Sequence, residues 1–297
     1  MTILLCNDVL QPSQVDQAFA EEVESALKNG FEIALVDFEK LNNGQIEAAL
    51  RRVRSIEESV VYRGWMLRPA IYELLFDSLL ERGANLVNTA QQYRHCHYLP
   101  ESYAIIAHQT PQTVWLPLSG EIDFDVIATK LEIFGDKPLI VKDYVKSRKH
   151  EWLRSCFIPR ANDAAEVERV VRNFVEGQGD GLNEGLIFRE FVPLRSVGTH
   201  AKSGAPLSQE FRLWFWKNEL LYWSAYWEGG EYTNGVPLLE EFEKLARNIQ
   251  SSFFSMDVAQ TQNGEWIVIE LGDGQVAGLP SSNDIEPFYE KLAQRTQ

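Results

Sequence analysis

Asp257 and Glu270 flank an Asn263-Gly264 pair, and this arrangement is the clearest chemical signal in the chain. Asn-Gly favours a two-residue type I′ turn between antiparallel strands. In that register Gln262 faces Glu265, and counting outward one residue at a time brings Asp257 opposite Glu270. Facing side chains in such a ladder have Cβ atoms about 4.5–5.5 Å apart. Two carboxylates that close repel, which raises the pKa of at least one of them, and Asp257→Asn would relieve the repulsion. A bound cation would relieve it too. Mg²⁺ commonly takes one or two carboxylates together with phosphate oxygens. Met256, Val258, Ile267, Ile269 and Leu271 surround the pair with apolar side chains. A one-residue slip would instead leave a solvated acidic edge.

Two further segments carry charge in patterned places. Pro138–Lys142 is an apolar run that ends in a lysine, and Lys146, Arg148 and Lys149 follow it. Clustered cations suit polyphosphate, although a solvated basic loop has the same composition. Residues 137–160 carry a net +5, against −20 for the remainder and −15 overall. In Glu210-Phe211-Arg212-Leu213-Trp214-Phe215-Trp216, alternation puts Glu210 and Arg212 on one face and Phe211, Leu213 and Phe215 on the other. Such a charged pair needs partners, either each other or a ligand. The aromatics Tyr222, Trp223, Tyr226 and Trp227 read as core rather than a sugar platform. His95-Cys96-His97, taken as a strand, sets two histidines on one face without a second ligand pair. Ser25-Ala26-Leu27-Lys28 falls on an amphipathic helix and is a chance SxxK match. Walker A, GxSxG and HExxH motifs are absent, and no GxGxxG follows Cys6.

The elements that must position these residues fall into two parts. Thr2–Cys6, Phe31–Val36 and Ser59–Met66 read as strands. Val15–Leu27 and Ile71–Leu80 read as helices, with Gly83 as a stop, and residues 83–88 open another unit. This β-α order predicts a small parallel sheet. After Pro138 the pattern changes. Pro138–Lys142 and Leu186–Val192 are strands, and Ala164–Glu176 and Leu238–Ser251 are helices. Glu210–Trp216 with Leu220–Trp227, and Phe253–Thr261 with Glu265–Leu271, form hairpins. Pro111, Pro117 and Gly120 mark a boundary, giving parts 1–115 and 116–297 and a mixed α/β (α+β) fold. Hydrophobic residues at 45% and charged residues at 24% fit a globular protein. No apolar run is long enough for a transmembrane helix, and Met1–Asp8 reads as a first strand rather than a signal peptide. Cys6, Cys96 and Cys156 are few and far apart, which fits a reducing cytoplasm. The net charge disfavours, without excluding, a nucleic-acid partner.

Taken together, these segments resemble an ATP-grasp ligase from roughly Asn85 to the C-terminus. Pro138–Lys142 is similar to the strand whose terminal lysine contacts ATP phosphates. Phe188-Arg189-Glu190-Phe191-Val192 resembles the hinge strand that holds adenine. Glu210-Phe211-Arg212 looks like the acidic-x-Arg strand of peptide-adding members. Asp257, with Glu270 in Ile269-Glu270-Leu271-Gly272-Asp273-Gly274, resembles the paired magnesium ligands. The N-terminal part, with Tyr62-Arg63-Gly64-Trp65, would be the pre-grasp domain.

The resemblance implies ATP contacts for Lys142, Glu190, Phe191 and Val192. It implies Mg²⁺ ligation by Asp257 and Glu270, and catalytic roles for Arg212 and Lys146. Lys142, Glu190, Val192 and Arg212 would line one cleft. Three departures accompany it. Gly272 stands where the family has Asn, so that either Asp273 substitutes or one ligand is missing. The glycine-rich phosphate loop is replaced by Lys146-Ser147-Arg148-Lys149-His150. The usual first lysine has no counterpart, leaving Arg212 or Lys146 to supply its charge. The implied chemistry is formation of an acyl phosphate from a carboxylate and ATP, then attack by an amine. Two other readings are an RNA-end ligase using Lys142 or Lys146 as a lysine-AMP nucleophile, and a non-catalytic nucleotide-binding protein. ADP as product separates the first reading from AMP in the second, and turnover excludes the third.

Overall fold

The fold was analysed in a computed structural model that describes residues 1–53, 59–199, 206–233 and 235–296. The first sheet is parallel, in the order β2 (Glu32–Val36), β1 (Thr2–Cys6), β3 (Ser59–Arg63), β4 (Asn85–Leu86). Strand β1 is buried throughout, as expected when helices cover both faces of a parallel sheet. On one face Leu4, Cys6, Val60 and Tyr62 meet α2 (Phe38–Asn42), α3 (Ile46–Ala49) and α4 (Pro69–Glu81). On the other, Ile3, Leu5 and Val61 meet α1 (Ala20–Lys28). Helix α4 begins with Pro69 in its first turn, and Gly83 follows it at φ 83°, the left-handed position that favours glycine after a helix.

Two sequence expectations change in this part. Helix α1 starts only at Ala20, because Val15 bridges Asn7 and residues 17–19 form a 3₁₀ turn capped by Asp16. His95-Cys96-His97 ends a helix, α5 (Ala90–His97), rather than lying on a strand, since Thr89 and Gln92 form a reciprocal capping box that starts it. Helix α6 (Leu99–Ile106) follows directly.

The second sheet is antiparallel, in the order β5 (Thr113–Pro117), β8 (Gly185–Glu190), β6 (Leu139–Asp143), β7 (Phe157–Ile158). Its outer face packs on α7 (Phe124–Leu131) and α8 (Ala164–Gln178), whose N-termini Asp123 and Asp163 cap. A division at residue 115 therefore falls inside β5. The short ladder β9 (Ser196–Thr199) with β10 (Pro206–Ser208) lies before the third sheet.

That third sheet is antiparallel too, in the order β12 (Glu219–Ala225), β11 (Glu210–Trp216), β13 (Phe253–Gln260), β14 (Trp266–Asp273). Phe211, Leu213, Phe215, Phe254, Met256 and Val258 form a core with α9 (Leu239–Ala246) and residues of α5 and α6. From the opposite face Trp214, Trp216 and Phe253 reach the first sheet, where α10 (Ile285–Thr296) joins them. The last helix thus returns to the first sheet and locks the two parts together. Among the described residues, no helix is long and apolar enough to cross a membrane. All three cysteines are buried and free.

The last hairpin pairs Asp257 with Glu270 by a different route from the one expected. Of Asn263 and Gly264 only Gly264 has positive φ, at 93°, so the turn is not type I′. Thr261, not Gln262, faces Glu265: its amide donates to the Glu265 carbonyl at 2.8 Å, and the Gly264 amide turns back to the Thr261 carbonyl at 3.0 Å. The loop is one residue longer and the ladder one residue out of step, pairing Val258 with Val268. A bulge at Ile269 restores the step before Asp257. The pair with positive φ at both central residues is Lys217-Asn218, at 49° and 65°, joining β11 to β12.

Candidate functional site

The strand registers converge the charged residues on one cleft. Arg212 faces Asp257 across β11 and β13, and Asp257 faces Glu270 across β13 and β14. All three point away from the aromatic core, where their neighbours Phe211, Met256 and Leu271 lie. From the second sheet Lys142 reaches across to Glu270, with Nζ 3.2 Å from Oε2. The cleft is lined by Lys142, Arg212, Asp257, Glu270 and Asp273, and by Met66, His97 and Leu99 from the first part of the chain.

Each metal-type carboxylate already holds a cation. Arg212 grips Asp257 in a fork, Nε and Nη2 each donating at 2.7 Å, and its Nη1 donates to the Gly278 carbonyl at 2.9 Å. The guanidinium also lies over the Tyr226 ring, 4.8 Å from its centroid. Burial opposes charge on Arg212, but the Asp257 carboxylate more than offsets this and raises its pKa. Burial likewise pushes Asp257 upward, with Arg212 opposing it and Glu270 adding to it. For Glu270, burial is outweighed by Lys142, Lys149 and Arg212, which pull it down to about 2. The repulsion read from sequence is present, but neighbouring cations answer it.

The other expected residues fall into distinct places. Lys146 is exposed on the loop after β6, where its amide donates to the Asp143 carboxylate. Its charge, after burial, pulls His97 down to about 4, so that imidazole is neutral at physiological pH. Arg148 is tied to Glu151 and to the Gly177 carbonyl. Glu190 does not line the cleft with Lys142. It pairs with Leu139 while Lys142 pairs with Ile187, and it bonds Lys137 at 2.9 Å. The two residues are three steps apart along β6, about 10 Å. Strand β8 ends at Glu190, so Phe191 and Val192 lie just beyond it, Phe191 edge-on to Trp152 and Phe157.

Asp273 takes a structural position. One oxygen accepts from the Asn88 side chain at 2.6 Å, and the other accepts from the amide and side chain of Gln275 at 3.0 and 3.1 Å. Burial raises it to about 6 despite these donors. Gly272 faces Ser255, whose hydroxyl would lie 2.8 Å from any Cβ placed there. A side chain at 272 would therefore displace Ser255. Among the described residues no group of three or more His, Cys, Asp or Glu is arranged to hold a metal.

Several contributors carry no motif. Arg63, fully buried, donates to Glu22 and to the carbonyls of Gly274 and Ala277, fixing the loop that follows β14. Glu210 is buried, accepts from Ser208 at 2.8 Å, and is raised to about 7 by burial and by Asp257. Arg189 is buried in the contact between the second and third sheets, where burial lowers it to about 10. Charge within an otherwise apolar strand was the available signal for Arg189 and Glu210. For Arg63 no local signal existed, since its partners lie far along the chain.

Comparison with known proteins gives an answer consistent with this geometry. No curated protein sequence matches the chain. Residues 131–292 match the ATP-grasp domain, R(2)K clade family 3. D-cycloserine synthetase DcsG is similar in structure, with a TM-score of 0.63 at 14% identity, covering 100% of both chains. A RimK domain ATP-grasp protein from Sphaerobacter thermophilus has a TM-score of 0.61 at 15% identity, covering 99% of this chain and 98% of its own. D-alanine–D-alanine ligase from Bacillus anthracis, solved with ATP, has a TM-score of 0.59 at 14% identity, covering 99% of this chain and 96% of its own. The match over residues 131–292 spans more than half of the 297 residues and contains Lys142, Arg212, Asp257 and Glu270, so the chain belongs to this family of ATP-grasp proteins.

Proposed function

We propose that the protein is an ATP-dependent ligase that activates a carboxylate as an acyl phosphate and transfers the acyl group to an amine. The observation that carries this is the meeting of Lys142, Arg212, Asp257 and Glu270 in one cleft from separate strands. In this reading residues 1–115 supply the acceptor-side wall, with Met66, His97 and Leu99, and residues 116–297 supply the nucleotide side. Glu190, Phe191 and Val192 hold adenine, with the phosphates toward Lys142 about 10 Å away. Lys142, Lys146 and Lys149 attract the polyphosphate.

Asp257 and Glu270 fit Mg²⁺, since two neighbouring carboxylates plus phosphate oxygens satisfy it. When bound, the ion would neutralise charge developing on the transferred phosphoryl group. Arg212 orients Asp257. In the first step a substrate carboxylate oxygen bonds the γ-phosphorus, and the bond to the β–γ bridging oxygen breaks, releasing ADP. The amine nitrogen then bonds the acyl carbon, phosphate departs, and the nitrogen loses a proton. Asp273 serves better as an anchor than as a ligand, because Asn88 and Gln275 occupy its oxygens. The lysine-AMP route is less well supported, because Lys142 is buried against Glu270. The likenesses to D-alanine–D-alanine ligase and to PsnB, solved with its precursor peptide, favour amino acids and peptides as acceptors to try first.

Calorimetry with AMPPNP tests the reading. The wild type should bind it in Mg²⁺ and far more weakly without. Lys142→Ala should weaken binding by about tenfold or more while the protein stays folded. No Mg²⁺-dependent binding, or equal binding by the variant, would overturn it. With a productive acceptor, release of AMP instead of ADP would favour the adenylation route.

A further inference from the structure

Core positions on β14 show why the bulge matters. Val268 and Leu271 both pack in the aromatic core, yet they are three residues apart. Regular alternation from Val268 would place Glu270, not Leu271, in that core. The extra residue Ile269 turns the strand so that Glu270 enters the cleft beside Asp257. A bulge on an edge strand leaves carbonyls without ladder partners, and β14 is an edge strand.

Arg189 meets those carbonyls. One arm of its guanidinium donates to the Ile269 carbonyl, and the other donates to the Val268 carbonyl at 2.8 Å and to the Thr110 hydroxyl. Thr110 donates to the same Val268 carbonyl at 2.8 Å, and the Val268 amide donates to the Gln109 carbonyl at 2.7 Å. Arg189 is 5% exposed. Among the described residues no carboxylate hydrogen-bonds it, so its charge is spent on backbone. It lies on β8, immediately before Glu190.

We infer that Arg189 is a positioning residue for Glu270: by pinning the bulged carbonyls from β8, it fixes the carboxylate that would hold Mg²⁺ and ties it to the strand that would hold adenine. The inference rests on the proposed nucleotide site. Groups that orient metal ligands without touching the metal are commonly worth one to two orders of magnitude in metal affinity. Lysine at 189 keeps the charge but cannot span two carbonyls and a hydroxyl.

The experiment measures, by calorimetry, the Mg²⁺ concentration at which AMPPNP binding is half restored. Arg189→Met and Arg189→Lys should raise it about tenfold, and Thr110→Val, which removes only a hydroxyl, about threefold. Hydrogen exchange in the metal-free variants should quicken in β14 while the first sheet is unchanged. That readout needs no nucleotide. Should Arg189→Met fail to fold, Arg189→Lys and Thr110→Val decide. Normal Mg²⁺ dependence in folded variants, with wild-type binding intact, overturns the positioning role alone. Absence of Mg²⁺-dependent binding in the wild type overturns the nucleotide site, and the positioning role with it.

Discussion

Asp257 and Arg212 share two hydrogen bonds of 2.7 Å, and Asp257 is 1% exposed. This reverses the stability expected from two bare carboxylates. Asp257→Asn leaves Arg212 buried without its counter-charge, so the metal-free variant should lose about 3 kcal/mol in urea denaturation. Stability equal to the wild type would show that repulsion from Glu270 outweighs the ion pair. Glu210 behaves in the opposite sense. Its folded pKa is raised from 4.5 to about 7. A carboxyl raised in this way contributes stability that is full below its unfolded pKa and is lost as pH climbs through the folded one. Replacing it by Gln removes that loss. Glu210→Gln should therefore gain about 2 kcal/mol more, relative to wild type, at about pH 8 than at about pH 5. A gain that does not vary with pH would mean that the side chain is not a buried charge at neutral pH.

At the scale of the element, the β13–β14 hairpin separates turn chemistry from register. Gly264 sits at φ 93°, where a side chain is strained, and Asn263 does not share the left-handed region. Gly264→Ala should cost about 1 kcal/mol or more, and Asn263→Ala well under half of that. Thermal melts of the two variants make the comparison. Comparable losses at both positions would restore the two-residue turn. The register inferred from Asn-Gly placed Asp257 opposite Glu270 correctly, although its premise was not met. The longer loop and the bulge each shift the ladder by one residue and cancel. The alternation of core and cleft residues was legible along β11 and β13. It failed on β14, where Arg189 and Thr110 hold an irregularity that adjacent residues do not specify.

At the scale of the molecule, α10 closes the structure. Phe288 is fully buried, edge-on to Trp214 and close to Phe253, Tyr222 and Tyr289, and the Arg63 guanidinium lies over its ring at 5.6 Å. It touches the third sheet and stands in the core shared with Ile3, Leu5 and Val61 of the first. Phe288→Ala should cost about 4 kcal/mol. Both parts should still melt in one transition, since they share that core. Two resolved transitions in the variant, followed by fluorescence and circular dichroism, would show that the parts fold independently.

The sequence by itself determined what depends on neighbours along the chain. The parallel first sheet, the antiparallel hairpins, the lysine ending an apolar strand and the charged face of β11 all follow from periodicity of two or of about 3.6, which burial imposes locally. It also placed Lys142, Arg212, Asp257 and Glu270 among the site candidates by charge within apolar strands. Only the tertiary structure decided which charges meet. Arg212 neutralises Asp257, Lys142 reaches Glu270, Asn88 and Gln275 take up Asp273, and Glu190 turns to Lys137. Those partners lie up to 185 residues apart in the chain. An ion pair in a buried cleft is selected by desolvation and geometry once the sheets have packed, and a periodic pattern holds no record of either.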